Sequence, residues 1–416
     1  MSEVLLDSLY NCLLRKVRSM KIQSFQFSNN KENWHIEEVK FEDLNLLVGG
    51  SGVGKTRILK ALELICDTAN IGVNRNLDDL EWSINFSHLG QNYRWELKSS
   101  STKKEEISLN VNESKQTEIV YEKLVRYDDD SELEILFRND SDSKFNNEKL
   151  PKLKRTESAI TLLSEEDLII PVGKAFERLI FNFETAPIQK FTIESDYITG
   201  TIATITAVED LFYSKLNISN SKIFFRDFRQ YCSHLPPVLK AFLLQKFFPE
   251  VFNEIKEYYI DIFSEVNNFR VSSERDSDVD FLLSFEIQEN GLEDWIPQER
   301  ISSGMFRTLI FLIEVITAPE ESVILIDEFE NSLGINCMGE LTDFILDKSP
   351  DVQFILTSHH PYIINNIPWD TWQIVSKSGN KVRVRKSLNI PELNTASSLD
   401  KFTQLVNLLD SEEVSE

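Results

Sequence analysis

The sequence predicts a mixed α/β fold: an open sheet with a parallel centre, an antiparallel lobe and a helical insertion, and no long coiled coil. Three observations carry this. Residues 44–48 form an apolar run that enters a glycine-rich loop, and Ile58, Leu59, Leu62, Ile65 and Cys66 recur beyond it at helical spacing. Two further short apolar runs, 323–326 and 352–356, also end in polar clusters, as strands buried on both faces do. From Trp82 to Arg138 the chain breaks into short alternating segments, such as 93–97 and 132–137, split by Ser, Asn, Asp and Lys, which is the pattern of antiparallel strands with polar turns.

Ahead of these elements, Leu9, Leu13 and Val17 make an apolar helical stripe, and from Met20 the alternation of Ile22, Phe25 and Phe27, then Trp34, Ile36 and Val39, reads as strand. From about Ser164 to Asn268 the pattern is helical and rich in Phe, clearest at Phe252, Ile255, Tyr259, Ile262 and Val266. No heptad repeat persists there. Residues 281–287 read as a strand, and 412–416 as a short acidic tail. The expected organisation is an N-terminal helix (1–19), the first half of a head (20–160), a helical insertion (161–299), the second half of the head (300–390), and a C-terminal helix with the acidic tail (391–416).

With 41% hydrophobic and 27% charged residues in 416, the chain has the composition of a folded protein. The acidic start carries no secretory pattern and no apolar stretch approaches the roughly 20 residues of a spanning helix, so a cytoplasmic protein without a membrane segment is expected. Cys12, Cys66, Cys232 and Cys337 are dispersed and suit neither a disulfide framework nor a zinc ribbon. A formal charge of −24 opposes general attraction to phosphate backbones. Nucleic-acid contact would have to be local, at Arg15, Lys16, Arg18 and Lys21, at 149–155, or at Lys377, Lys381, Arg383, Arg385 and Lys386.

Gly49, Gly50, Ser51, Gly52, Val53, Gly54, Lys55 and Thr56 fit the phosphate-loop pattern GxxxxGK[ST] in the strand-loop-helix context that confirms it. Backbone N–H groups of such a loop turn inward around phosphates, Lys55 neutralises the β and γ phosphates, and the Thr56 hydroxyl faces Mg²⁺. The run 323–326 ends in Asp327 and Glu328, two carboxylates at the exit of a buried strand. Asp327 suits the Mg²⁺ shell, and Glu328 suits orienting or deprotonating an attacking water. Ser302, Ser303 and Gly304 open a helical stripe at Phe306, Leu309, Ile310, Ile313 and Ile316; alone this is an ordinary helix cap, but upstream of Asp327 and Glu328 it reads as a second anion site. The run 352–356 leads into Thr357, Ser358, His359 and His360, where His359 is the candidate to hydrogen-bond the γ phosphate. All three strands thus deliver functional groups at their carboxyl ends, where open α/β sheets bind ligands. Phe25, Phe27 and Trp34 are the candidates for a base contact.

These residues resemble the ABC ATPase superfamily of P-loop NTPases, in its soluble RecF-like and SMC-like branch. In that family two heads sandwich two ATP molecules, so the resemblance implies a homo-oligomer, at least a dimer, in which Ser302 and Gly304 touch ATP held by the partner chain. It also implies that Asn331, Ser332 and Leu333 form the D-loop; Gly334 departs from the Asp or His common there, and no Gln near Glu157 and Ser158 supplies a Q-loop. The strings 301–307, 327–331 and 358–362 look more like ATPase subunits of anti-phage systems such as Septu, PARIS and retron-associated ATPases. Such subunits act with an effector, often an HNH or TOPRIM nuclease; too few residues follow His360 for a TOPRIM domain, so the effector is expected on another chain. A RecF-like DNA-repair ATPase is the alternative, with the charge against it. A transporter subunit would keep an LSGGQ signature, absent here, and a small-molecule kinase would leave Ser302 and His359 unexplained.

Overall fold

Residues 44–48, 323–326 and 353–357 are buried at every position, whereas 21–29 and 80–88 mix buried with exposed residues. Strands of the first kind need cover on both faces; those of the second can leave one face to solvent. The computed structural model describes residues 20–70, 77–103, 115–128, 131–177, 179–181, 191–192, 225–226, 228–230, 232–233, 235–275, 281–331, 337–394 and 397–414. The expected helix around Leu9, Leu13 and Val17, together with Cys12, Ser332, Leu333 and Gly334, lies outside the described residues.

Along the chain, β1 (Lys21–Asn29), β2 (Trp34–Lys40) and β3 (Leu44–Val48) lead into α1 (Lys55–Ala69). Then come β4 (Leu80–His88), β5 (Gln91–Lys103), β6 (Lys115–Asp128), β7 (Ser131–Arg138), β8 (Ser143–Phe145), β9 (Glu148–Lys149), α2 (Ala159–Leu162), α3 (Ile170–Phe176) and β10 (Leu179–Phe181). Further on are β11 (Phe191–Thr192), α4 (Pro237–Phe247), α5 (Pro249–Ile262), β12 (Val266–Arg275), β13 (Phe281–Glu289), β14 (Ile296–Pro297) and α6 (Ser303–Thr317). The chain continues through β15 (Val323–Ile326), α7 (Met338–Lys348), β16 (Gln353–Thr357), α8 (Pro361–Asn366), β17 (Trp372–Ser378), β18 (Lys381–Lys386) and α9 (Ser398–Val414). Contacts divide it into two compact units, Met1–Phe181 with Glu321–Phe329 and Leu346–Glu416, and Asn182–Glu320 with Glu330–Ile345.

In the first unit the described strands form one sheet of 14, ordered β10-β15-β16-β3-β17-β18-β2-β1-β4-β5-β6-β7-β8-β9. The five from β10 to β17 are parallel neighbours; β17 turns back antiparallel into β18, and everything from β2 to β9 is antiparallel. The mixed α/β class, the parallel centre and the antiparallel lobe are therefore as the sequence pattern predicts, and no long coiled coil occurs among the described residues. β10 is a strand that the pattern does not announce: three residues beside β15 are too short to show a period.

Buried amides fasten the amino ends of the parallel strands. Asn45 of β3 donates to the Phe354 carbonyl (3.2 Å), Gln353 of β16 donates to the Ile22 (3.0 Å) and Glu42 (2.8 Å) carbonyls, and Gln373 of β17 donates to the Lys40 carbonyl (3.0 Å). Each satisfies polar groups that burial would otherwise strand. In the antiparallel lobe, fully buried Glu122 accepts from Trp95 Nε1 (3.1 Å), Ser158 Oγ (2.6 Å) and the Ala159 N–H (2.9 Å), and pairs with Arg138 (2.6 Å). The stretch at Glu157 and Ser158 is thereby held against β5, β6 and β7, and Ser158 caps α2.

The second unit packs α4, α5 and α6 with the sheet β11-β13-β12, to which β14 adds at β13. Phe252, Ile255, Tyr259 and Ile262 line one buried face of α5 as their spacing predicts, but Val266 opens β12 after a turn rather than continuing the helix. Lys240 of α4 and Glu314 of α6 form a buried ion pair at 2.7 Å. The unit takes in α6, whereas the sequence reading grouped residues 300–390 with the head. Cys66, Cys232 and Cys337 are buried and take part in no disulfide, and burial pushes the Cys66 and Cys232 thiols up, that of Cys232 to about 12, so neither of these two is a ready nucleophile.

Candidate nucleotide site

The carboxyl ends of β15, β16 and β3 lie side by side, since β16 pairs with both of the others. Gly49 follows β3 directly and is itself buried; a Cβ there would stand 2.3 Å from the Val375 carbonyl oxygen on β17, so only glycine lets the loop leave the sheet at this point. Gly54 closes the loop as the N-cap of α1 with φ 111°, and its missing Cβ would meet Val382 Cγ2 at 2.8 Å. The first turn of α1 carries neither a capping side chain nor an acidic residue, which leaves the positive end of a 15-residue helix for an anion. Lys55, 5% exposed, folds back so that Nζ donates to the Gly49 and Gly50 carbonyls at 2.8 Å each. That holds its ammonium over the loop. Thr56 is half-buried, while Ser51 and Gly52 are exposed and Val53 is half-buried.

At the next strand ends, the Thr357 hydroxyl donates to Asp327 Oδ1 at 2.7 Å and accepts from the Glu328 N–H at 2.7 Å. The Thr357 carbonyl accepts from the Phe329 N–H at 3.0 Å. Asp327 is half-buried; Glu328 is exposed and sits at φ 49°, a left-handed backbone that glutamate rarely adopts. His359 is exposed two residues past Thr357, on a turn anchored by buried Ser358, whose Oγ accepts from the His360 N–H at 3.0 Å. His360 itself caps α8: its Nδ1 accepts from the Tyr362 N–H at 3.2 Å, a local structural role. The structure thus brings Gly49, Gly50, Ser51, Gly52, Val53, Gly54, Lys55, Thr56, Asp327, Glu328 and His359 to one end of one sheet.

A family model described as "AAA domain, putative AbiEii toxin, Type IV TA system" matches residues 44–365, a span that begins at β3 and ends within α8. The chain belongs to this family. Among solved structures, the AAA-domain chain is similar to the Smc head bound to the C-winged helix domain of ScpA, at 14% identity over 88% of this chain and 97% of that one, with a TM-score of 0.45. A second is the Smc head domain with an extended coiled coil bound to the C-terminal domain of ScpA derived from Pyrococcus furiosus, at 13% identity over 94% and 100%, with a TM-score of 0.43. Both are distant. No curated protein matches.

Ser302 and Gly304 belong to the other unit of the AAA-domain chain. There Ser302 is exposed and caps α6, its Oγ accepting from the Met305 N–H at 3.3 Å, and the first turn of α6 carries no acidic residue. Phe25 and Phe27 are 1% and 2% exposed and stack within the core, so neither is open to a nucleotide base. Trp34 is half-buried at the start of β2, with the Arg57 guanidinium of α1 5.3 Å above its ring. Thr357 and Arg57 are the residues that motif reading passes over; the only signal for Arg57 is its place one residue after Thr56. Of the basic clusters, Arg15, Lys16 and Arg18 lie outside the described residues, while Lys21 pairs with Asp43, Lys154 with Glu157, Arg155 with Asp140, Arg383 with Glu37 and Lys386 with Glu42. No described helix is long and apolar enough to cross a membrane.

The residues fit a nucleotide with its magnesium ion. The path of the loop needs glycine at 49 and 54, where a Cβ would collide with β17 and β18, and Thr56 and Asp327 offer the hard oxygen donors that Mg²⁺ takes. Among the described residues no three His, Cys, Asp or Glu cluster as a metal cage, and Mg²⁺ in phosphate sites needs none, being held by one or two side chains with phosphate and water.

Proposed function

We propose that this AAA-domain chain binds and hydrolyses ATP as an ABC-type ATPase, pairs with a second copy head to tail around the nucleotide, and so controls a separate effector in anti-phage defence. The observation that carries the reading is the adjacency of the phosphate loop to Asp327 and Glu328, where one buried threonine binds the Asp327 carboxylate and the Glu328 backbone N–H. In this reading the loop N–H groups and Lys55 bind the terminal phosphates, and Trp34 with Arg57 receives the base. Thr56 and Asp327 hold Mg²⁺, which supplies neutralising charge on the phosphate oxygens. Glu328 orients the attacking water and takes its proton on the carboxylate, and His359 donates to the terminal phosphate. Ser302 and Gly304, at the exposed start of α6, would meet ATP bound to the partner copy. The effector would be a nuclease on another chain, of HNH or TOPRIM type, released or restrained as the pair opens and closes.

Glu328→Gln tests this directly. It should retain ATP binding, lose at least ~100-fold in turnover, the usual weight of a general base, and accumulate an ATP-bound dimer or larger assembly in sizing experiments. Hydrolysis at the parent rate would remove Glu328 from its role.

A further inference from the structure

We infer that Thr357 is a positioning residue that sets how Asp327 holds Mg²⁺ and how Glu328 meets the attacking water; the inference rests on the nucleotide reading above. Register places it there: Ile326 of β15 pairs with Leu356 of β16, so residue 357 stands beside residue 327 as both strands end. Thr357 is fully buried, and its hydroxyl uses both of its capacities, donating to Asp327 Oδ1 and accepting from the Glu328 N–H, each at 2.7 Å. Its carbonyl takes the Phe329 N–H at 3.0 Å. Three consecutive residues, the proposed metal ligand, the proposed base and the next, are thus tied to one side of β16.

The arrangement has two consequences for chemistry. The bond to a carboxylate is charge-assisted and directional, so it orients the Asp327 plane rather than merely filling space. The bond to the Glu328 N–H holds a left-handed backbone, φ 49°, that a glutamate would otherwise leave, and this backbone sets where the Glu328 side chain projects. A valine would occupy nearly the same volume but would leave the half-buried Asp327 carboxylate without this donor and the Glu328 N–H without this acceptor. Packing alone does not call for a hydroxyl here, since the residues preceding it, Phe354, Ile355 and Leu356, are all apolar.

The experiment compares Thr357→Val and Thr357→Ser with the parent full-length chain by calorimetry with ATP in EDTA, calorimetry with ATP and Mg²⁺, steady-state hydrolysis and thermal unfolding. Thr357→Val should bind ATP in EDTA within about 3-fold of the parent, because the phosphate loop is untouched, while the gain in affinity from Mg²⁺ and kcat each fall ~10- to 100-fold. Thr357→Ser, which keeps the hydroxyl, should restore both to within about 3-fold. Should Thr357→Val not fold, Thr357→Ala carries the same expectations. An unchanged Mg²⁺ dependence in the valine variant, or equal damage from serine and valine, would overturn the inference. Glu328→Gln measured alongside separates the two levels: if it turns over normally, the nucleotide reading itself fails, and if it is inactive while Thr357→Val is not, only the role of Thr357 fails.

Discussion

Gly54→Ala isolates the two physical demands on the end of the phosphate loop. At φ 111° an alanine is strained by about 1–3 kcal/mol, and its Cβ would lie 2.8 Å from Val382 Cγ2 and 3.3 Å from Cγ1, an overlap that costs about 1–3 kcal/mol when a packed core must yield. The single variant should therefore be destabilised by about 2–6 kcal/mol, the sum of those two ranges. Val382→Ala alone removes buried methyl groups and should cost about 1–3 kcal/mol. In the double variant the new methyl enters the space that Val382 vacates, so the overlap disappears and only the backbone strain remains. The two changes should then couple favourably by about 1–3 kcal/mol. Urea unfolding of the four proteins measures this, and calorimetry with ATP and Mg²⁺ should show Gly54→Ala weakened and the double variant partly recovered. Costs that add within about 0.5 kcal/mol would refute the claim that β18 walls the loop.

Two more outcomes follow from residues outside the loop. Burial holds the Glu314 carboxyl above its ordinary 4.5, and Lys240 pulls it back, so Lys240→Met should cost about 3–5 kcal/mol by leaving a buried carboxylate without its cation. In that variant the folded state keeps a proton that the unfolded chain sheds above 4.5, so the loss should grow as pH rises from there and shrink toward pH 4; thermal unfolding across pH checks the sign, and Lys240→Met with Glu314→Leu should recover most of the stability. Trp34→Ala should weaken ATP binding by about 1–3 kcal/mol, the worth of base stacking on an aromatic ring, without altering its Mg²⁺ dependence in calorimetry; unchanged affinity would move the base contact elsewhere.

Much of the fold was legible because burial on two faces leaves an unmistakable trace: the apolar runs at residues 44–48 and 323–326 could serve only as covered segments, and both are central parallel strands. The antiparallel lobe was readable from alternation at 93–97 and 132–137. Short elements were not: β10 has three residues, and its strand character comes from pairing with β15. Val266 continued a helical spacing by coincidence, and the turn at Ser264 and Glu265 that ends α5 has no glycine or proline to announce it. At the site, the motif spacing located the loop and the carboxylates because phosphate chemistry constrains residue type. Thr357 stands in the polar cluster after 352–356 with no role legible there, since its importance lies in register between two strands distant in sequence, and Phe25 and Phe27 mislead as base contacts because a sequence does not say which face of a strand is the core.

The central claim is that the ends of β3, β15 and β16 form one site for a nucleotide with its magnesium ion. Calorimetry of ATP with Mg²⁺ against the parent chain and Lys55→Ala measures it most directly. Saturable binding by the parent, lost in Lys55→Ala while its thermal unfolding stays intact, is the expected result. Equal binding by both proteins, or none by the parent, would contradict the account.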